Sequence, residues 1–84
     1  MSEQWLRCRI FKGMFSDELA ISYVSRGGNI PVSVFVPKGL VEGKIDQEGK
    51  VKVSVFHQGN RAWAVLPSDQ QMTIPVDDAD LIAV

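Results

Sequence analysis

Between residues 50 and 67 the chain reads KVKVSVFHQGNRAWAVLP. Val51, Val53 and Val55 alternate with Lys52, Ser54 and Phe56, the period of a strand with one buried face. A second strand-forming run covers residues 61–66, so the stretch predicts a hairpin, and two turns fit it. A two-residue loop at Gly59-Asn60, with glycine at the first central position of a II′ turn, pairs Phe56 with Trp63 and Val55 with Ala64. A three-residue loop over 57–59, with Gly59 left-handed, pairs Val53 with Trp63 and Val51 with Val65. The two differ in parity, so one turns Trp63 outward and the other inward. Each large apolar side chain withdrawn from water contributes about 1.5–3 kcal/mol. That argument favours the three-residue loop, which gathers the valines and Trp63 on one face.

The same alternation recurs along the chain. Residues 5–12 place Leu6, Cys8 and Ile10 inward and Trp5, Arg7, Arg9 and Phe11 outward, after a frayed end at 1–4. Gly13 breaks this strand, and the apolar loop residues Met14 and Phe15 are expected to fold over an open end of the sheet. Leu19, Ile21 and Tyr23 share a face, a Gly-Gly-Asn turn follows at 25–29, and Ile30, Val32, Val34 and Val36 share the next one. Pro31 has no backbone donor, so this strand begins at an edge or at a position facing away from a ladder. Leu40 and Val41 form a helical turn or an extended bridge, and 46–49 is a polar turn. Beyond the hairpin, 67–71 is a loop, Met72, Ile74 and Val76 alternate, and Asp77 stands as N-cap of one helical turn before a last strand at 81–84.

No window of about eleven residues carries a 3.6-residue apolar period. The expectation is therefore an all-β chain, a small partly open β-barrel of about five to seven short antiparallel strands with one helical turn near the C-terminus. This plan of bent hairpins, with a helical turn ahead of the closing strand, resembles SH3-like barrels in layout, and no family motif accompanies it; an OB-type barrel, whose usual intermediate helix is missing here, is the alternative.

At 84 residues the chain has room for a single domain, 1–84. Hydrophobic residues at 45% and charged ones at 23% indicate a globular chain. One cysteine, Cys8, allows no internal disulfide. The polar N-terminus lacks a secretory signal, and no apolar run has the length of a membrane span, so a cytoplasmic address and no membrane contact are expected. The net charge of −1 argues against general affinity for nucleic acid. All nine Lys and Arg residues nevertheless lie at or before Arg61, followed only by Asp69, Asp77, Asp78 and Asp80.

Candidate chemistry is sparse. His57 lies at the hairpin turn with no sequence neighbour that would act as nucleophile or carboxylate partner. Cys8 alternates with Leu6 and Ile10 and reads as a buried thiol. The aspartates at 77, 78 and 80 lack the ligand series of a calcium loop, and Gly27-Gly28-Asn29 is followed by neither a helix nor a Lys-Ser/Thr pair. No catalytic residue, metal or cofactor is expected, and the chain reads as a non-enzyme. What stands out is an aromatic and basic outer face: Trp5, Arg7, Arg9 and Phe11, with Phe35 and Phe56 on the polar faces of their strands. Trp and Arg are enriched at protein-binding hot spots. The expected function is a protein–protein interaction module or small accessory subunit, self-association included. Stacking on single-stranded nucleic acid is the alternative.

Overall fold

The computed structural model describes residues 1–25 and 31–84. Eight antiparallel strands form one sheet, bent into a half-barrel: β1 (Ser2–Lys12), β2 (Glu18–Tyr23), β3 (Val32–Pro37), β4 (Val41–Glu42), β5 (Glu48–Gln58), β6 (Arg61–Val65), β7 (Thr73–Val76) and β8 (Leu81–Ala83). Single 3-10 turns at Lys38–Leu40 and Asp78–Asp80 precede β4 and β8. The spatial order is β3-β2-β1-β5-β6-β7, with β4 on β5 and β8 on β1.

The two long strands organise the sheet, because each changes partner along its length. On one edge β1 pairs with β8 through Gln4–Leu6 and with β2 through Arg9–Lys12. β5 pairs with β4 at Lys50 and Val51, then with β6 from Ser54 to Gln58. Their mutual ladder runs from Ser2↔Val55 to Arg9↔Glu48. The residues expected to fray, 2–4, are thus paired strand. Their polar side chains give no period-two signal, but the length of β5 supplies the backbone partners.

The inward alternation holds for β1, β2, β3 and β5. Leu6, Ile10, Ile21, Val36, Val51 and Val55 are fully buried, and they join Cys8, Leu19, Tyr23 and Val53 in one cluster. The central hairpin departs from the favoured register. Phe56 faces Trp63, Val55 faces Ala64 and Gln58 faces Arg61, so the loop is the two residues Gly59-Asn60. Gly59 has φ 64° and Asn60 is not in the left-handed region, as a II′ turn requires. Ala62, Ala64 and Leu66 fill the inner face while Trp63 lies half-buried on the outer one. The valines of β5 already occupy the space that an inward indole would need.

β3 ends the sheet on one side among the described residues. The Lys38 N–H donates to the Asp17 carbonyl at 2.9 Å. Strand alternation then turns residues 32, 34 and 36 toward β2, and Ser33, Phe35 and Pro37 toward the open edge. Pro37 offers no donor there, and Pro31 keeps the same phase just before the strand. The edge expected from Pro31 is present, whereas the turn expected at 25–29 and the position of Ile30 lie outside the described residues.

Candidate interaction surface

Alternation places the six outward candidates on the same side of the sheet, but register divides them into three groups. Trp5 lies opposite Lys52 on β5 and Ile82 on β8. Its half-buried ring is covered by two ammonium groups, Lys50 Nζ at 4.8 Å and Lys52 Nζ at 5.3 Å from the ring centre, both within cation–π range. Arg7 is exposed and faces Lys50 across the ladder. Phe56 faces Trp63 at the far end. Because Val55 pairs with Ser2, that couple is removed from Phe11 by nine residues of β1, roughly 30 Å along the strand.

The third group is at the opposite end. Phe11 pairs with Ala20, and Ala20 with Phe35, so the two phenylalanines flank one small residue in a single row. The Arg9 guanidinium lies 6.0 Å from the Phe11 ring centre and donates to the Asp46 carbonyl at 3.3 Å. Three more large apolar or aromatic side chains, Met14, Phe15 and Ile45, lie around this row. Phe35 and Ile45 are each 47% exposed, Phe15 67% and Met14 74%. Met14 and Phe15 therefore do not fold over the sheet, contrary to the sequence expectation. The inner face beneath them is already closed by Ile10, Leu19 and Val36.

These side chains stand on fixed backbone. The Glu18 N–H donates to the Phe15 carbonyl at 3.3 Å, closing the turn that carries Met14 and Phe15, and Asp17 is tied to Lys38. Ile45 belongs to the β4–β5 connection, which docks on β1: the Asp46 N–H donates to the Ile10 carbonyl at 2.7 Å, and the Ile10 N–H to the Gln47 carbonyl at 3.0 Å. Two open clefts result. One is lined by Lys12, Met14, Phe15, Lys38 and Ile45, the other by Phe15, Asp17, Phe35, Pro37 and Asp69. Phe15 lines both, and Glu18 stands between them. Of the six sequence candidates, Phe11 and Phe35 belong to this end. Met14 and Phe15 are its most exposed members, and their signal in the sequence was two large apolar residues in a loop.

The titratable groups take other roles. The fold brings Asp78 to His57, with Nε2 and Oδ1 3.3 Å apart, so a carboxylate does meet the histidine, from 21 positions further on. Both side chains are largely exposed, the setting of a surface pair worth about 0–1 kcal/mol. Asp77 holds the N-cap position of the second 3-10 turn without a side-chain cap bond. Instead its N–H donates to the Tyr23 hydroxyl at 3.0 Å, and that hydroxyl donates to Asp80 Oδ2 at 2.9 Å. Burial, with the neighbouring Asp80 carboxylate, pushes the Tyr23 phenol up to about 12. Burial first, and the Glu48 charge second, push the Cys8 thiol from 9.0 to about 12, so it stays protonated at neutral pH and is a poor nucleophile.

Both raised values fix a sign. The folded chain holds these protons where the unfolded chain releases them, so their contribution is complete below about pH 9 and is lost as pH rises toward 12. Urea unfolding at pH 8, 9, 10 and 11 is expected to show falling midpoints. Cys8→Ala should flatten the first part of that fall, and an unchanged profile in the variant would refute the thiol's share.

Among the described residues no helix is long and apolar enough to cross a membrane. No family of known proteins, no curated protein and no solved structure matches this chain.

Proposed function

We propose that this chain is a non-enzymatic protein–protein interaction module or small accessory subunit, and that the end carrying Met14, Phe15, Phe35 and Ile45 is its contact surface. One observation carries the reading: large apolar side chains, up to 74% exposed, gathered around adjoining clefts on hydrogen-bonded turns. Exposed apolar surface is a standing cost unless a partner covers it. Anchors already held in place lose little further entropy on binding. The bent long strands, and a 3-10 turn leading into a last strand on β1, support the SH3-like layout. A lone, buried and protonated Cys8 suits a cytoplasmic subunit.

The nucleic-acid alternative finds less support. The Trp5 face that would stack on a base is covered by Lys50 and Lys52, and the six aromatic and basic candidates are spread over three places rather than along one groove.

The test is a photo-crosslinking amino acid placed at Phe15, with the exposed Gln58 at the hairpin tip as control, in intact cells. A discrete protein adduct from position 15 and none from position 58 is expected. No adduct at 15, or the same adducts from both, would refute the assignment of the surface.

A further inference from the structure

We infer that the occupant of this surface is a second copy of the same chain, joined about a two-fold axis near Phe15; this rests on the reading of the surface just given. The two clefts carry opposite charge. Lys12 and Lys38 border the one that holds Met14 and Ile45, and outnumber Glu18, which lies on the wall common to both; Asp17 and Asp69 join Glu18 around the one that holds Phe35. Phe15 is common to both. Ion pairs among the described residues are Lys52–Glu3 and His57–Asp78. The four border charges therefore have no counter-ion within this part of the chain.

A surface with adjoining apolar clefts of opposite sign is complementary to itself. Rotation by half a turn about the shared ring lays the lysine-bordered cleft of one copy over the aspartate-bordered cleft of the other, twice over. That is the condition for an isologous interface, in which the same patch serves both partners and the assembly closes at two. Phe15 meets its own copy at the centre, where aromatic anchors contribute most, and the charges form a rim that fixes orientation. Size sets the strength. A stable interface covers about 800 Å² a side, which is about 15% of this chain's 5432 Å². Two open clefts are smaller than that, which places the pair among weak, reversible associations.

Sedimentation equilibrium of the full chain, from about 10 µM to about 1 mM, tests the pair. Wild type is expected to pass from monomer to dimer across that range, and Phe15→Ser to remain monomeric. A Lys12→Glu/Lys38→Glu variant and an Asp17→Lys/Asp69→Lys variant should each self-associate at least about tenfold more weakly. Mixed one to one, they should regain wild-type affinity, since every rim contact in the mixed pair is again attractive. The substituted positions are exposed, and melting curves confirm that each variant is folded. A wild type that stays monomeric near 1 mM overturns the inference. So does a dimer indifferent to both reversals, or a mixture that does not recover. The crosslink at position 15 separates this failure from that of the broader reading. A different polypeptide captured there by a chain that is monomeric when purified refutes the pair alone, whereas no adduct refutes both.

Discussion

Gly49→Ala is expected to lower stability by about 3 kcal/mol, and the melting temperature by roughly 10–20 °C. Gly49, the second residue of β5, lies opposite Cys8, at the point where β4 folds back against the long strand. A Cβ on Gly49 would overlap the Glu42 carbonyl oxygen and the Ile10 Cδ1 atom, and would crowd the Cα of Gly43. Two of these three neighbours are backbone, and the third belongs to a fully buried side chain, so nothing nearby yields cheaply. Gly39→Ala is the control: a Cβ there meets nothing within 4 Å, and the change should stay within about 0.5 kcal/mol. Ile10→Val removes the Cδ1 atom. Alone it should cost about 1 kcal/mol, but in the Gly49→Ala background it should cost less, because it relieves one overlap while the Glu42 carbonyl still blocks the other. Thermal melts of the four variants beside wild type decide the matter. Equal melting temperatures for the two alanine variants would show that the approach of β4 to β5 is looser than described.

Tyr23→Phe should cost about 2 kcal/mol, the scale for a hydrogen bond to a charged group. Its hydroxyl connects β2 to the 3-10 turn in both directions, accepting from the Asp77 backbone and donating to the Asp80 carboxylate. The ring itself remains buried in the variant, so packing is retained and the loss reports the hydroxyl. That turn delivers β8 to β1, where Leu81–Ala83 pair with Gln4–Leu6. The loss should therefore be local as well as global, with faster amide exchange at 81–83 than in β5. A melting temperature unchanged within about one degree, with unaltered exchange, would show that the turn is held by other contacts.

How much of this was readable in advance depended on which physical rule governed each element. Period-two alternation identified the inner residues of β1, β2, β3 and β5, because a half-buried strand must separate its faces. It failed at the central turn. Counting buried area drew Trp63 inward, but that count assumes vacant space, and the inner face beside Val55 holds only Ala64 and Ala62. Turn chemistry left both loops open, since each gives Gly59 a positive φ, and the pairing of Gln58 with Arg61 is what fixes the two-residue loop. The outward residues were found one by one, while their grouping was not. Whether Phe11 neighbours Phe35 or Phe56 depends on strand order, and the pairing through Ala20 appears nowhere in local sequence. His57 with Asp78, and Tyr23 with Asp80, are likewise products of closure, joined across 21 and 57 positions. Met14 and Phe15 are too apolar for a loop that only meets water, and folding over an open end of the sheet is the commoner answer, yet they stand 74% and 67% exposed.

The prolines flanking β3 set a limit on how large an assembly can grow. Copies that join through main-chain bonds along an open border leave a fresh border for the next arrival, and nothing in such a stack tells it to stop. With Pro31 and Pro37 at its two ends, that border retains outward N–H groups only at Ser33 and Phe35, too short a run to seed a growing ribbon. Growth through that border is closed off, whereas a pair made by side chains at the end carrying Phe15, once formed, has no surface of the same kind left to offer.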